Sequence, residues 1–218
     1  MTLRINDIAP NFTAETTEGK IDFHEWIGDS YAVLFSHPAD FTPVCTTEFA
    51  AAARLADQFA QRNAKVIGIS VDPVDEHLKW KADVEKYAGT DMAFPIIADD
   101  RLEIAKLYDM LPAEAYGADG KARADTATVR TTFIINPDKK IELMLIYPMT
   151  VGRNFDEILR ALDAIRNNAA APVATPADWR PGDDVILRLD VSTEDAQTRF
   201  GEVEEIFPYL RKVKSPAA

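Results

Sequence analysis

Cys45 is the only cysteine in the chain, and it stands in a run of residues that could make a thiol react: Thr42-Pro43-Val44-Cys45-Thr46-Thr47-Glu48. Thr42 is a good helix N-cap and Pro43 a good first helical residue. Cys45 then falls third, where a capping box would place a carboxylate. A thiolate at that point meets free backbone N–H groups and the positive end of the helix dipole. The dipole contributes about 0.3–1 kcal/mol, or about 2 when partly buried. Turning an ordinary thiol into one ionised at neutral pH takes about 3.4 kcal/mol. A second cation is therefore required, and sequence position alone does not name it. Ionisation is also insufficient: an ordinary thiol is already a few per cent thiolate, so full ionisation gains only about thirtyfold. The rest of any fast reaction must come from positioning a substrate and stabilising its leaving atom. The competing reading is a lone cysteine serving as a small buried hydrophobe.

Other chemistries of cysteine and histidine find little support. No Cys-x-x-Cys exists for thiol–disulfide exchange. His24, His37 and His77 show no ligand spacing, and Cys45 has no thiol partner, so no metal site is predicted and no cofactor is implied.

The elements that must position Cys45 follow from hydrophobic pattern. Tyr31–Ser36 is a continuous apolar run of strand length, suited to a buried sheet position. A helix follows through Gln61, with Phe49, Ala53, Leu55, Ala56, Phe59 and Ala60 at helical spacing. Lys65–Val71 and Phe94–Ala98 read as further buried strands, Pro73–Tyr87 and Arg101–Tyr108 as helices. Upstream, residues 1–20 read as loop and hairpin pieces and Lys20–Ile27 as an edge strand; 109–127 is a loop-like connection. Val129–Ile135 and Lys140–Tyr147 form a hairpin around the turn Asn136–Lys139, and Asn154–Asn167 an amphipathic helix. The pattern predicts an α/β sandwich with a mixed sheet; a thiol at a strand-to-helix junction makes the thioredoxin-like version the nearest analogy.

Past that helix, Ala169–Pro176 reads as a linker. Asp184–Val191 is predicted extended, Glu194–Phe200 helical and Tyr209–Val213 a last strand. The division is therefore 1–168 for the body and 169–218 for a C-terminal extension too short for a secure core of its own, packing on the body or on a partner subunit.

With 218 residues, 47% hydrophobic and 28% charged, the chain reads as globular. Its net charge of −12 leaves no footprint for nucleic acid and disfavours anionic membranes. No apolar run is long enough to span a bilayer, Met1–Asp7 lacks the apolar segment of a secretory signal, and one cysteine suits a reducing compartment. The expectation is a cytoplasmic protein.

Several spaced motifs then resemble one family. Pro38, Thr42 and Cys45 match Pro-x-x-x-Thr-x-x-Cys, the peroxiredoxin active-site pattern, and the match runs on to Glu48. Val129–Ile135 is similar to the strand carrying that family's catalytic arginine, and Val151–Glu157 to the segment of its second arginine. His37 and the Asp178–Asp183 start of the tail resemble the one-cysteine, peroxiredoxin-6-like branch. The resemblance implies a three-layer thioredoxin-like sandwich and a thiol peroxidase reducing hydrogen peroxide and organic hydroperoxides through a Cys45 sulfenic acid. It makes Arg130 the missing cation and Thr42 the hydrogen-bonding partner of the peroxide. Pro38 becomes the shield against water, Glu48 the group that orients Arg130 with Arg153 nearby, and His37 a neighbour of the sulfur. It also implies a homodimer or larger ring. The chain departs from two-cysteine relatives in having no second cysteine, and it lacks the Gly-Gly-Leu-Gly and C-terminal Tyr-Phe motifs. The sulfenic acid therefore needs an external thiol or other reductant.

Two further activities come with the resemblance. The mammalian member of this branch is also described as a phospholipase A2 with a Ser-His-Asp set, matched here by Ser30, His24 and Asp138. Ala32 replaces the second glycine of a Gly-x-Ser-x-Gly motif, however, and each residue has an easy structural explanation. A chaperone or peroxide-sensing relay is the non-enzymatic alternative.

Overall fold

In the computed structural model, which describes residues 3–117, 122 and 126–216, the chain forms two compact units, 1–155 and 156–218.

The first unit is built on strands β1 (Thr13–Thr16), β2 (Gly19–Asp22), β3 (Tyr31–Ser36), β4 (Ala64–Ser70), β5 (Ile96–Ala98), β6 (Arg130–Ile135) and β7 (Ile141–Tyr147). Its helices are α1 (Phe23–Ile27), α2 (Pro43–Arg54), α3 (Ala56–Gln61), α4 (Val74–Ala88) and α5 (Glu103–Leu107). The strands form one sheet in the order β2-β1-β5-β4-β3-β6-β7. β3, β4 and β5 run parallel, while β6 lies antiparallel to β3, with Phe35 opposite Thr132. This is the thioredoxin-like α/β fold with a mixed sheet.

Side-chain alternation along the central strands separates two faces. Ala32 and Leu34 of β3 and Ile67 and Ile69 of β4 enter a core with Phe23 and Ile27 of α1 and Ile104 and Ala105 of α5. Phe35 points the other way, onto Phe49 of α2, with ring centroids 4.8 Å apart. Burial on both faces is why these strands read as unbroken apolar runs. Gly68 of β4 is required by the closeness of α2: a Cβ there would stand 2.6 Å from Phe49 Cζ.

Local chemistry moved two boundaries. The proposed edge strand Lys20–Ile27 ends at Asp22, whose carboxylate caps α1 by accepting from Glu25 N–H, so Phe23–Ile27 is helical. The helix after Cys45 is interrupted at Leu55, which leaves the helical conformation and separates α2 from α3. In the connection 109–127 the described residues include a short 3₁₀ turn at Ala113–Ala115 and an isolated antiparallel bridge between Tyr116 and Ala122; residues 118–121 and 123–125 lie outside the described residues.

The second unit takes in helix α6 (Phe155–Ala170) from Asp156 onward, strands β8 (Val173–Ala174) and β9 (Val185–Leu187), helix α7 (Thr193–Phe200), and strands β10 (Glu204–Phe207) and β11 (Leu210–Val213). An antiparallel sheet in the order β10-β11-β9-β8 encloses a small core of Ala164, Val173, Trp179, Val185, Leu187, Ala196 and Val213. The expected linker Ala169–Pro176 thus contains the last two residues of α6 and a paired strand. β10 had no sequence signal: its side chains are all exposed.

Candidate active site

Cys45 sits where the sequence places it, in the first turn of α2, immediately after the loop that leaves β3, and it is fully buried. Pro43 opens the helix, and no side chain caps it. Thr42 has the extended backbone of an N-cap, but its hydroxyl donates to the Ala39 carbonyl at 2.9 Å and so ties down the preceding loop. Pro38 begins that loop, half-buried.

The second cation is Arg130. It is the first residue of β6, and it reaches Cys45 because β6 pairs with β3. Ser36, at the end of β3, fastens this junction: its hydroxyl donates to Val129 O at 2.6 Å and accepts from Thr131 N–H at 3.0 Å. Arg130 Nη1 donates to Cys45 Sγ at 3.4 Å and to Glu48 Oε2 at 2.6 Å, and Nε donates to Met149 O at 2.8 Å. Nη1 and Nε of the guanidinium are therefore both aimed.

Glu48 lies one turn after Cys45 on the same face of α2. It is 2% exposed and holds two arginines. Arg153 donates to it from its backbone N–H at 2.7 Å, from Nε at 2.8 Å and from Nη2 at 2.7 Å. Arg153 Nη1 reaches Thr131 O and Thr132 Oγ1, and its guanidinium lies over the Phe35 ring at 5.0 Å. Burial pushes the Glu48 carboxyl up, but hydrogen bonds and charge from Arg153, with the charge of Arg130, outweigh it and hold the group below the ordinary carboxylate range. Two guanidiniums against one carboxylate leave one positive charge unmatched. A thiolate at Cys45 completes the balance.

His37 is buried beside α2, stacked edgewise on Phe49 and in parallel on Trp80. Its Nε2 meets Asp40 Oδ1 at 2.8 Å. The sequence reading missed Asp40 and His77, which meet at 2.6 Å. Their separation of 37 positions carries no local signal. His37, Asp40 and Asp72 offer ligand atoms within 4.8 Å of one another. His37 Nε2, both Asp40 oxygens and Asp72 Oδ2 are already engaged in hydrogen bonds.

Ser30, His24 and Asp138 are not joined into a relay. Ser30 Oγ donates to Asn63 Oδ1 at 3.0 Å, His24 Nε2 bonds to Ala9 O at 2.7 Å, and Asp138 is an exposed turn residue.

A lone buried thiol paired with a strand arginine, at a strand-to-helix junction of a thioredoxin-like sheet, defines a thiol-dependent peroxidase. Residues 5–144 match the model of the AhpC/TSA family, and residues 164–202 that of the C-terminal domain of 1-Cys peroxiredoxin. The chain belongs to the peroxiredoxin family, in its one-cysteine, peroxiredoxin-6-like branch, and Cys45 is its peroxidatic residue. It is 50% identical over 216 residues to mitochondrial peroxiredoxin PRX1 of Saccharomyces cerevisiae, covering 98% of this chain and 81% of that protein. A crystal structure of a cysteine-to-serine mutant of Arenicola marina peroxiredoxin 6 superposes with a TM-score of 0.91 at 43% identity, covering 99% of this chain and 100% of that one. A structure of the yeast mitochondrial one-cysteine peroxiredoxin, described as the basis of thiol resolution via glutathione/thioredoxin systems, gives 0.87 at 48% identity, covering 98% and 100%.

Proposed function

We propose that the protein reduces hydrogen peroxide and organic hydroperoxides at a site made by Cys45, Arg130, Thr42 and Pro38, with Glu48, Arg153 and His37 in support. The observation that carries this reading is Arg130 Nη1, shared between Cys45 Sγ and Glu48 Oε2 in a buried setting. The Cys45 thiolate attacks one peroxide oxygen. The S–O bond forms as the O–O bond breaks, the departing oxygen takes up a proton to leave as alcohol or water, and the sulfur is left as a sulfenic acid. Arg130 stabilises negative charge on the sulfur before the step and on the oxygens during it. Thr42 binds a peroxide oxygen, and Pro38 keeps water from the sulfur.

Cys45 has no internal thiol partner, so the cycle closes through an outside thiol. That thiol condenses with the sulfenic acid, releasing water, and a second thiol reduces the mixed disulfide. Glutathione or a thioredoxin-system protein is the proposed donor, supported by the yeast one-cysteine relative, whose structure is described as the basis of thiol resolution via glutathione/thioredoxin systems. A reducing compartment, the cytoplasm in the simplest case, suits this chemistry, and among the described residues no helix is long and apolar enough to cross a membrane. A homodimer is the proposed assembly: β7 ends the central sheet and leaves Ile146 62% exposed.

The test mixes reduced protein rapidly with hydrogen peroxide and follows Cys45 by mass spectrometry. One added oxygen, removed by glutathione through a mixed disulfide, is expected. Peroxide consumption that persists in Cys45→Ser would sink the proposal.

A further inference from the structure

The Pro38–Thr42 loop is anchored by a buried polar knot that the peroxide chemistry above does not use. Asp40 is its centre. One carboxylate oxygen meets His37 Nε2 at 2.8 Å and the other meets His77 Nδ1 at 2.6 Å. The Asp40 backbone N–H donates to Asp72 Oδ2 at 2.9 Å, and Ser70 Oγ donates to the same oxygen at 2.7 Å. His37 and His77 are both fully buried. The knot thus ties the active-site loop to the end of β4 and to the first turns of α4.

Hydrogen-bonding rules place its protons. His77 Nε2 lies 3.2 Å from Ile97 O, a carbonyl that can only accept, so this nitrogen carries hydrogen. Asp40 sits between two imidazoles. Burial works against its charge, but the hydrogen bonds from His37 and His77 prevail and hold its carboxyl below the ordinary range. An ionised Asp40 needs a donor on each oxygen. His77 Nδ1 must then carry hydrogen as well, which makes His77 an imidazolium paired with the carboxylate. His37 also donates, through Nε2. Burial, the largest influence on His37, keeps it below the usual imidazole range and hence neutral, despite Asp40 and Asp72. Its Nδ1 is consequently a bare acceptor, and among the described residues nothing donates to it: it is a buried atom without a hydrogen-bond partner there. The titratable groups that face one another here are His37, Asp40, Asp72 and His77.

We propose that His77 is a positioning residue for the peroxidase reaction. With Asp40 it holds one buried proton that locks the Pro38–Thr42 loop and fixes His37 as the tautomer with an unprotonated Nδ1. The loop it locks contains a residue under backbone strain, Phe41 at φ +53°, a conformation that needs support from its surroundings. The proposal rests on the reading of Pro38 and Thr42 as residues of the peroxide site.

The test combines nitrogen NMR of ¹⁵N-histidine-labelled, reduced full-length protein with peroxide kinetics. In the wild type His77 is expected to show two protonated ring nitrogens and His37 one bare nitrogen. His77→Asn keeps a side-chain donor for Asp40 but cannot hold the extra proton. It should give His37 a mixture of tautomers. His77→Ala should slow Cys45 oxidation by roughly tenfold through loop misplacement, with His77→Asn recovering part of that loss. A bare nitrogen on wild-type His77, or a His37 spectrum unchanged in His77→Asn, overturns the proton placement. Wild-type kinetics in a folded His77→Ala overturn the positioning role. Should the wild type itself react no faster than a free thiol, the peroxidase reading falls and the role of His77 with it; the NMR arm separates that failure from one of proton placement.

Discussion

Two buried polar networks flank the same helix start, and they are built from different kinds of charge. Around Cys45 the groups are Glu48, Arg130 and Arg153, whose charges are fixed over the physiological range. Around the Pro38–Thr42 loop they are His37, Asp40 and His77, whose charges depend on where protons sit. The first network presents a permanent positive surplus to a sulfur that must be negative to attack. The second places Asp40 between two imidazoles and, with Asp72, ties down the loop, so it sets the shape of the loop instead. A site that must hold an anion therefore uses guanidinium, and a site that must hold geometry uses imidazole.

This contrast can be broken from the charged side first. Glu48→Ala would leave two guanidiniums buried without their carboxylate, and the expected loss is about 3–5 kcal/mol of stability, read by denaturant unfolding. A loss within a few tenths would mean that the pair is not buried in solution. Gly68→Ala should cost about 1–3 kcal/mol, because the new methyl must displace Phe49, the residue one turn beyond Cys45; slower Cys45 oxidation in the same variant would show that α2 had moved.

Acid sharpens the comparison. The folded-state carboxyls of Glu48 and Asp40 lie below their unfolded values, so their contribution is present above about pH 4 and is lost as pH falls through the folded values. Urea midpoints measured downward from pH 6 should hold and then drop. Glu48→Gln should start lower and fall less steeply, and parallel curves for the two proteins would contradict the assignment. The smallest effect belongs to Ser30→Ala, which removes one hydrogen bond to Asn63 and should cost about 1 kcal/mol while leaving the peroxide rate unchanged.

Much of this was legible in the residues, for reasons that differ by element. β3 and β4 read correctly because both faces are buried and the apolar runs are continuous. Cys45 on the first turn of α2 followed from Thr42 and Pro43. The need for a second cation followed from an energy shortfall, but its identity came only with the motif around Arg130, since nothing local links positions 45 and 130. The role of Thr42 was half-legible: its backbone is that of a cap, yet its hydroxyl holds Ala39 rather than the helix. Asp22 was missed because a short alternating run hid a capping aspartate. Asp40 and His77 were missed because a buried carboxylate between two distant imidazoles leaves no periodic trace.

The central claim is that Arg130 makes Cys45 a peroxide-reactive thiol. Rapid mixing of reduced wild type and Arg130→Ala with hydrogen peroxide, quenched and read as sulfenic acid on Cys45, tests it most directly. The account predicts that the variant is slower by about 10²–10³-fold, the loss expected when one aimed donor is removed from developing charge. Equal rates in the two proteins would contradict it.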